Sequence, residues 1–151
     1  MGLSISINTQ NLNYFLVFAA ASGYLTSVKS CLEAGADVQF KDNSALCSAA
    51  EKGHPEVVKV LIEHGANVHA NNDYALKMAA LFGHLEVVKV LIKHGANIHA
   101  DNHYALGAAA RNGHLEVVKL LLLHGASFEA IAKKYRTTEL ITFNSLLSLG
   151  K

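Results

Sequence analysis

Nine histidines and two cysteines are the residues of this chain with the widest chemical reach. Histidine serves both as a metal ligand and as a general base near neutral pH, so its spacing decides which use is open. Eight of the histidines fall into three series: His54, His84 and His114; His64, His94 and His124; His69 and His99. Members of one series stand thirty residues apart. If such segments stack as helical units, successive copies lie about 10 Å apart, too far to share one metal ion. No His-Glu-x-x-His or paired Cys/His spacing occurs. His103 stands outside the series and reads as a surface loop residue. Cys31 and Cys47 follow neither metal-site nor Cys-x-x-Cys spacing and read as free thiols in a reducing compartment. The glycines form no phosphate-cradling motif and no serine sits in a nucleophile elbow. Glu56, Glu86 and Glu116 each precede a lysine (Lys59, Lys89, Lys119) by three residues, the spacing of solvated helix-surface pairs. Catalysis needs several groups converging on one pocket. Groups strung out at one period predict none, so the expectation is no enzyme, no cofactor and no metal.

The period itself belongs to the elements that carry these residues. Gly23, Gly53, Gly83 and Gly113 are spaced by thirty, as are Gly35, Gly65, Gly95 and Gly125 and the alanine pairs beginning at Ala19, Ala49, Ala79 and Ala109. Between Lys41–Ala70 and Asn71–Ala100, 19 of 30 positions are identical. Each unit reads as two short helices. In the third unit the first helix is expected over about Tyr74–Leu81 with Asp73 as N-cap, and Gly83 ends it by offering a left-handed position. The second is expected over about Leu85–His94, with Val87, Val88, Leu91 and Ile92 at helical spacing facing the core. Glu86 at its start and Lys93 at its end complement the helix dipole. Pro55 suits a first helical turn. Ala96–Ala100 reads as an extended connection. One helix pair cannot bury its own apolar face, so the units must stack.

The string Gly83-His84-Leu85-Glu86-Val87-Val88-Lys89-Val90-Leu91-Ile92-Lys93-His94-Gly95-Ala96-Asn97-Ile98 resembles the second half of an ankyrin repeat. It recurs at Gly53–Val68 and Gly113–Phe128, with a degenerate copy inside Asn11–Phe40. The resemblance implies an all-α solenoid of stacked helix-turn-helix units with short inter-repeat hairpin loops. Its expected division is a lead-in at 1–10, a degenerate capping repeat at 11–40, repeats at 41–70, 71–100 and 101–130, and a C-terminal helical cap at 131–151. The period falls short of the family's usual 33 residues, and its Thr-Pro-Leu-His opening is replaced by Ser44-Ala45-Leu46-Cys47, Tyr74-Ala75-Leu76-Lys77 and Tyr104-Ala105-Leu106-Gly107. The Thr and His that usually brace neighbouring turns are missing, and the projecting fingers should be clipped. The thirty-residue, Asn-Asp-Tyr-Ala-Leu style is similar to the ankyrin repeats of giant DNA viruses of amoebae, mimivirus-like in manner. That similarity implies a viral protein engaging a host factor in the host cytoplasm.

The composition fits such a binder. With 13 Lys+Arg against 12 Asp+Glu, the net charge is +1, and no basic stripe for nucleic acid is visible. Leu12–Ala21 is too short to span a membrane and lacks a basic leader, so no membrane partner is expected. Met1-Gly2-Leu3-Ser4-Ile5-Ser6 formally matches an N-myristoylation signal at Gly2, but no polybasic second anchor accompanies it. The expected partner is a protein. Positions that differ between units are read as free of packing and available for recognition, among them Asn43, Asp73 and His103; Cys47, Lys77 and Gly107; Ser48, Met78 and Ala108. The third unit carries Leu81-Phe82 where its neighbours have Glu51-Lys52 and Arg111-Asn112, with Met78 one turn earlier. Exposed aromatic and Met side chains have the character of an interface hot spot. The expected binding residues are Tyr74, Lys77, Met78, Leu81, Phe82, Tyr104, Arg111 and Asn112, on the concave first-helix face that the family resemblance implies. Leu123 breaks the polar pattern of its helix face and is expected to be covered by 129–149, where Leu140, Ile141, Phe143, Leu146 and Leu147 form an apolar stripe behind Thr137 or Thr138. A monomer is expected, with a dimer, or self-assembly through apolar ends, as the alternative.

Overall fold

The computed structural model describes residues 8–127 and residue 129. Among them lie eight α-helices in four consecutive pairs: α1 (Thr9–Ser22) with α2 (Leu25–Glu33), α3 (Phe40–Lys52) with α4 (Pro55–Glu63), α5 (Ala70–Leu81) with α6 (Leu85–Lys93), and α7 (Ala100–Arg111) with α8 (Leu115–Leu123). The expected solenoid architecture is present. The expected cap at 131–151, including the segment proposed to cover Leu123, lies outside the described residues, as does the lead-in up to Ile7.

The alanine pairs set the spacing of one row. Ala19, Ala20, Ala49, Ala50, Ala79 and Ala80 are fully buried, and Ala109 with them. Without larger side chains between them, α1, α3, α5 and α7 pack side by side more intimately than α2, α4, α6 and α8 do. A stack tighter along one row curves toward that row, which places the first helices on the inner side. Between the rows runs the core, where Leu16, Leu46, Leu61, Leu76, Leu91, Leu106 and Leu121 are all buried to within 1% of complete exclusion. Each contributes about 1.5–3 kcal/mol of burial free energy.

Helix ends follow the glycines. At the first turn of the stack the amide of Gly23 donates to the Ala20 carbonyl and that of Tyr24 to Ala19, closing a Schellman cap around a left-handed residue. Equivalent bonds run from His54 to Ala49, His84 to Ala79 and His114 to Ala109. Pro55 occupies the first turn of α4. The connection between units differs from the extended segment expected at Ala96–Ala100. It turns at once, burying Val68 and Ile98, and enters the next helix through three left-handed residues. These are Lys41-Asp42-Asn43, Asn71-Asn72-Asp73 and Asp101-Asn102-His103. Each left-handed non-glycine residue costs about 1–2 kcal/mol, eased for Asn and Asp by local hydrogen bonding. Regular α5 therefore begins at Tyr74, after a kink, and Asp73 does not cap it.

Candidate functional site

On α5 the residues Tyr74, Lys77, Met78 and Leu81 recur at helical spacing along one side, with Phe82 at its end. Tyr74 is 37% exposed and Phe82 is 49% exposed, while Met78 and Leu81 are half-buried beside them. In the same places α3 has Ser44, Cys47, Ser48, Glu51 and Lys52. The structure thus brings four of the expected apolar residues onto one surface.

The remaining expected residues divide. The Lys77 side chain is only 12% exposed and forms an ion pair with Asp101, its ammonium lying 6.0 Å from the centre of the Tyr104 ring. It bridges α5 to the start of α7 and stiffens the surface from beneath. Tyr104 is half-buried as part of that bridge. Arg111 and Asn112 are exposed, and the Asn112 amide donates back to the Ala108 carbonyl at 2.8 Å. Two differing positions expected to be free of packing are not: Gly107 and Ala108 are buried in α7.

A larger correction concerns Asn43, Asp73 and His103. Asn43 and Asp73 are buried, and their Oδ1 atoms accept the amides of Asn67 and Asn97, each at 2.7 Å. Asn13 does the same for Asp37 at 2.7 Å. His103 occupies the fourth such place, its Nδ1 accepting from Ser127 at 3.3 Å. His103 is therefore in register with the repeat, and these positions vary in residue type while keeping one role. Asn43, Asp73 and His103 tie the kinked start of a first helix, and Asn13 the regular α1, to the chain leaving the second.

The missing family braces also have substitutes. Nε2 of His54, His84 and His114 meets the carbonyls of Ala21, Glu51 and Leu81 in the preceding unit at 3.0, 2.8 and 3.0 Å. The other periodic series, His64, His94 and His124, turns Nδ1 onto the carbonyl four residues earlier and finishes the second helices. Among the described residues no group of three or more His, Cys, Asp or Glu could hold a metal ion. An open depression of about 370 Å³ between α6 and α8 is lined by Lys89, Ile92, Lys93, Leu120 and His124, with no carboxylate among them.

The family model for ankyrin repeats, in three copies, matches residues 16–102 and again 66–132. The chain belongs to the ankyrin-repeat family. No curated protein matches it. Ankyrin repeats are in general protein–protein interaction modules and typically non-catalytic.

One surface of this ankyrin array escaped sequence reasoning. Phe15, Phe18 and Tyr24 are exposed on the first helix pair and touch in sequence, at 6.2 and 6.3 Å between ring centres. Tyr14 packs edge-on to Phe40 at 5.1 Å beneath the Lys41 ammonium. The signal was present: Phe15 stands where the later units bury Ala45, Ala75 and Ala105, and Tyr24 stands where they carry the bracing histidines. No helix among the described residues is long and apolar enough to cross a membrane.

Proposed function

We propose that this ankyrin array is a non-catalytic adaptor or decoy that holds a protein partner on its first-helix face, centred on Tyr74, Met78, Leu81 and Phe82. The observation that carries the reading is the half-exposed Phe82 beside Met78 and Leu81 on α5, where α3 is polar. The Phe82 ring lies 6.3 Å from that of His84, and its solvent-facing half supplies the apolar anchor that protein interfaces desolvate. Tyr104, Arg111 and Asn112 form the polar border on α7, with Lys77 as its buried tie. The thirty-residue style of the repeats supports a viral origin and a host protein as partner. The two thiols, with no disulfide, suit the reducing cytoplasm.

The test is affinity capture from host lysate with the full chain against a Leu81→Asp, Phe82→Asp double variant whose fold is checked by circular dichroism. A partner retained by the first and lost by the folded second supports the surface. Unchanged capture by the variant overturns it. A second reading, self-assembly through the ends, rests on Leu123 at 83% exposure and on the Phe15, Phe18 and Tyr24 cluster. A monodisperse monomer by light scattering at high concentration overturns that reading.

A further inference from the structure

Each helix pair is tied by a hydrogen bond from the outgoing chain to a side chain at the start of its first helix. Asn13, Asn43 and Asp73 accept through an oxygen; the fourth acceptor is the Nδ1 nitrogen of His103. A carboxamide or carboxylate oxygen keeps its lone pairs across the neutral range, whereas an imidazole nitrogen does not. For His103 to accept from the Ser127 amide, its ring must be neutral with the proton on Nε2.

The other histidines stand the opposite way round. His54, His84 and His114 face carbonyl oxygens of the preceding unit, and His64, His94 and His124 face carbonyls of their own helix. His69 meets the Asp73 carboxylate at 3.1 Å. All of these nitrogens donate, and an added proton leaves such bonds standing. His99 brings Nδ1 to 3.4 Å from Nδ1 of His103, its ring edge-on at 4.7 Å, and so donates toward the same lone pair. Among the described histidines only His103 accepts a backbone N–H.

We propose that His103 is a proton-operated latch on the fourth helix pair: neutral, it holds the Ser127 amide; protonated, it gives that hydrogen bond up. With Nδ1 protonated, two N–H groups point at each other and the bond has no acceptor. The surrounding charges do not compensate. On its own helix stand His99 and Asp101, on α5 Lys77 is paired with Asp101, and on α8 Glu116 is paired with Lys119. The outgoing chain presents the uncharged Ser127.

Burial first, and the neighbouring His99 second, hold the His103 pKa below the ordinary 6.5. A folded-state pKa below the unfolded one means that the unfolded chain binds the extra proton more readily. The stabilisation is complete above the ordinary histidine range, declines as pH falls through it, and levels off below the folded value.

The experiment is amide exchange on the isotopically labelled full chain, compared at about pH 7.5 and about pH 5, on either side of the histidine range. Protection of the Ser127 amide, corrected for intrinsic exchange, should fall about tenfold at the lower pH, the factor one hydrogen bond supplies. Protection of Asn67, held by Asn43, should not change. His103→Asn, which installs the acceptor already used at Asn13 and Asn43, should hold Ser127 at both pH values. If Ser127 exchanges too fast to follow, its amide chemical shift should titrate with the His103 ring in the native chain and not in the variant. PH-independent Ser127 behaviour in the native chain, or pH dependence that survives His103→Asn, overturns the latch.

Discussion

Replacing Gly53 by Ala tests whether neighbouring units are joined through their glycines. Gly53 has φ +80°, so an alanine there carries left-handed strain of about 1–2 kcal/mol. Its Cβ would also stand 2.6 Å from Nδ1 and 2.7 Å from Cε1 of His84, the bracing histidine of the next unit. A ring is free to swing aside, but only by giving up the bond from its Nε2 to the Glu51 carbonyl, 2.8 Å long. That bond is worth about 1 kcal/mol, so Gly53→Ala should cost roughly 2–3 kcal/mol in all. Gly113 supplies the control. Its φ is +74°, nearly the same, yet among the described residues a Cβ there meets nothing within 4 Å. Gly113→Ala should therefore show the strain alone, about 1–2 kcal/mol. Urea unfolding followed by circular dichroism measures both, read as midpoint shifts at constant slope. The decisive comparison is a double-mutant cycle with His84→Ala. In that background the cost of Gly53→Ala should shrink to the value at Gly113. If it costs the same with and without His84, the glycine does not serve the unit junction and the reasoning is refuted.

Two further outcomes follow from the buried side chains. Asp73→Ala leaves the amide of Asn97 without its acceptor and should destabilise the chain by about 1–3 kcal/mol, whereas Asp73→Asn should stay within about 0.5 kcal/mol, since Asn13 and Asn43 fill the same place; urea midpoints distinguish them. Burial, aided by the charges of Asp42 and Glu51, pushes the Cys47 thiol up to about 11, and iodoacetamide near pH 8, timed by mass spectrometry, should alkylate it on the order of a hundredfold more slowly than free cysteine because so little thiolate is present.

The fold was legible because its determinants repeat. Glycine at a left-handed helix end and Val/Leu at helical spacing are local signals, and they gave α5 and α6 of the third unit to within a few residues. The bend of the connections was not legible. Nothing in Asn71-Asn72-Asp73 taken singly requires three left-handed residues in succession, and the bond from the Asn97 amide to Asp73 does not require them either, since Asn13 takes the Asp37 amide from within a regular helix. The bracing histidines were visible as a series, and their place at helix starts was readable from the glycine before them. That their rings reach back to the preceding unit depends on stacking, which one unit's sequence does not contain. The aromatic group at the first pair was missed for a related reason. Phe15 looks like another core residue because the later units bury Ala45, Ala75 and Ala105 in its place.

Differences between units therefore have two physical meanings, and only one of them concerns recognition. At Asn13, Asn43, Asp73 and His103 the residue type changes, but each side chain still accepts one backbone amide, so packing and hydrogen bonding constrain the position throughout. At Lys52, Phe82 and Asn112 polarity itself changes while the surroundings remain solvent. The Phe82 ring stands 6.3 Å from that of His84, yet the units on either side stack with a lysine and an asparagine in its place. A position where interchangeable scaffolds carry opposite polarities is one whose side chain the fold does not select. That difference in polarity, together with exposure, is what supports the proposed binding surface on α5.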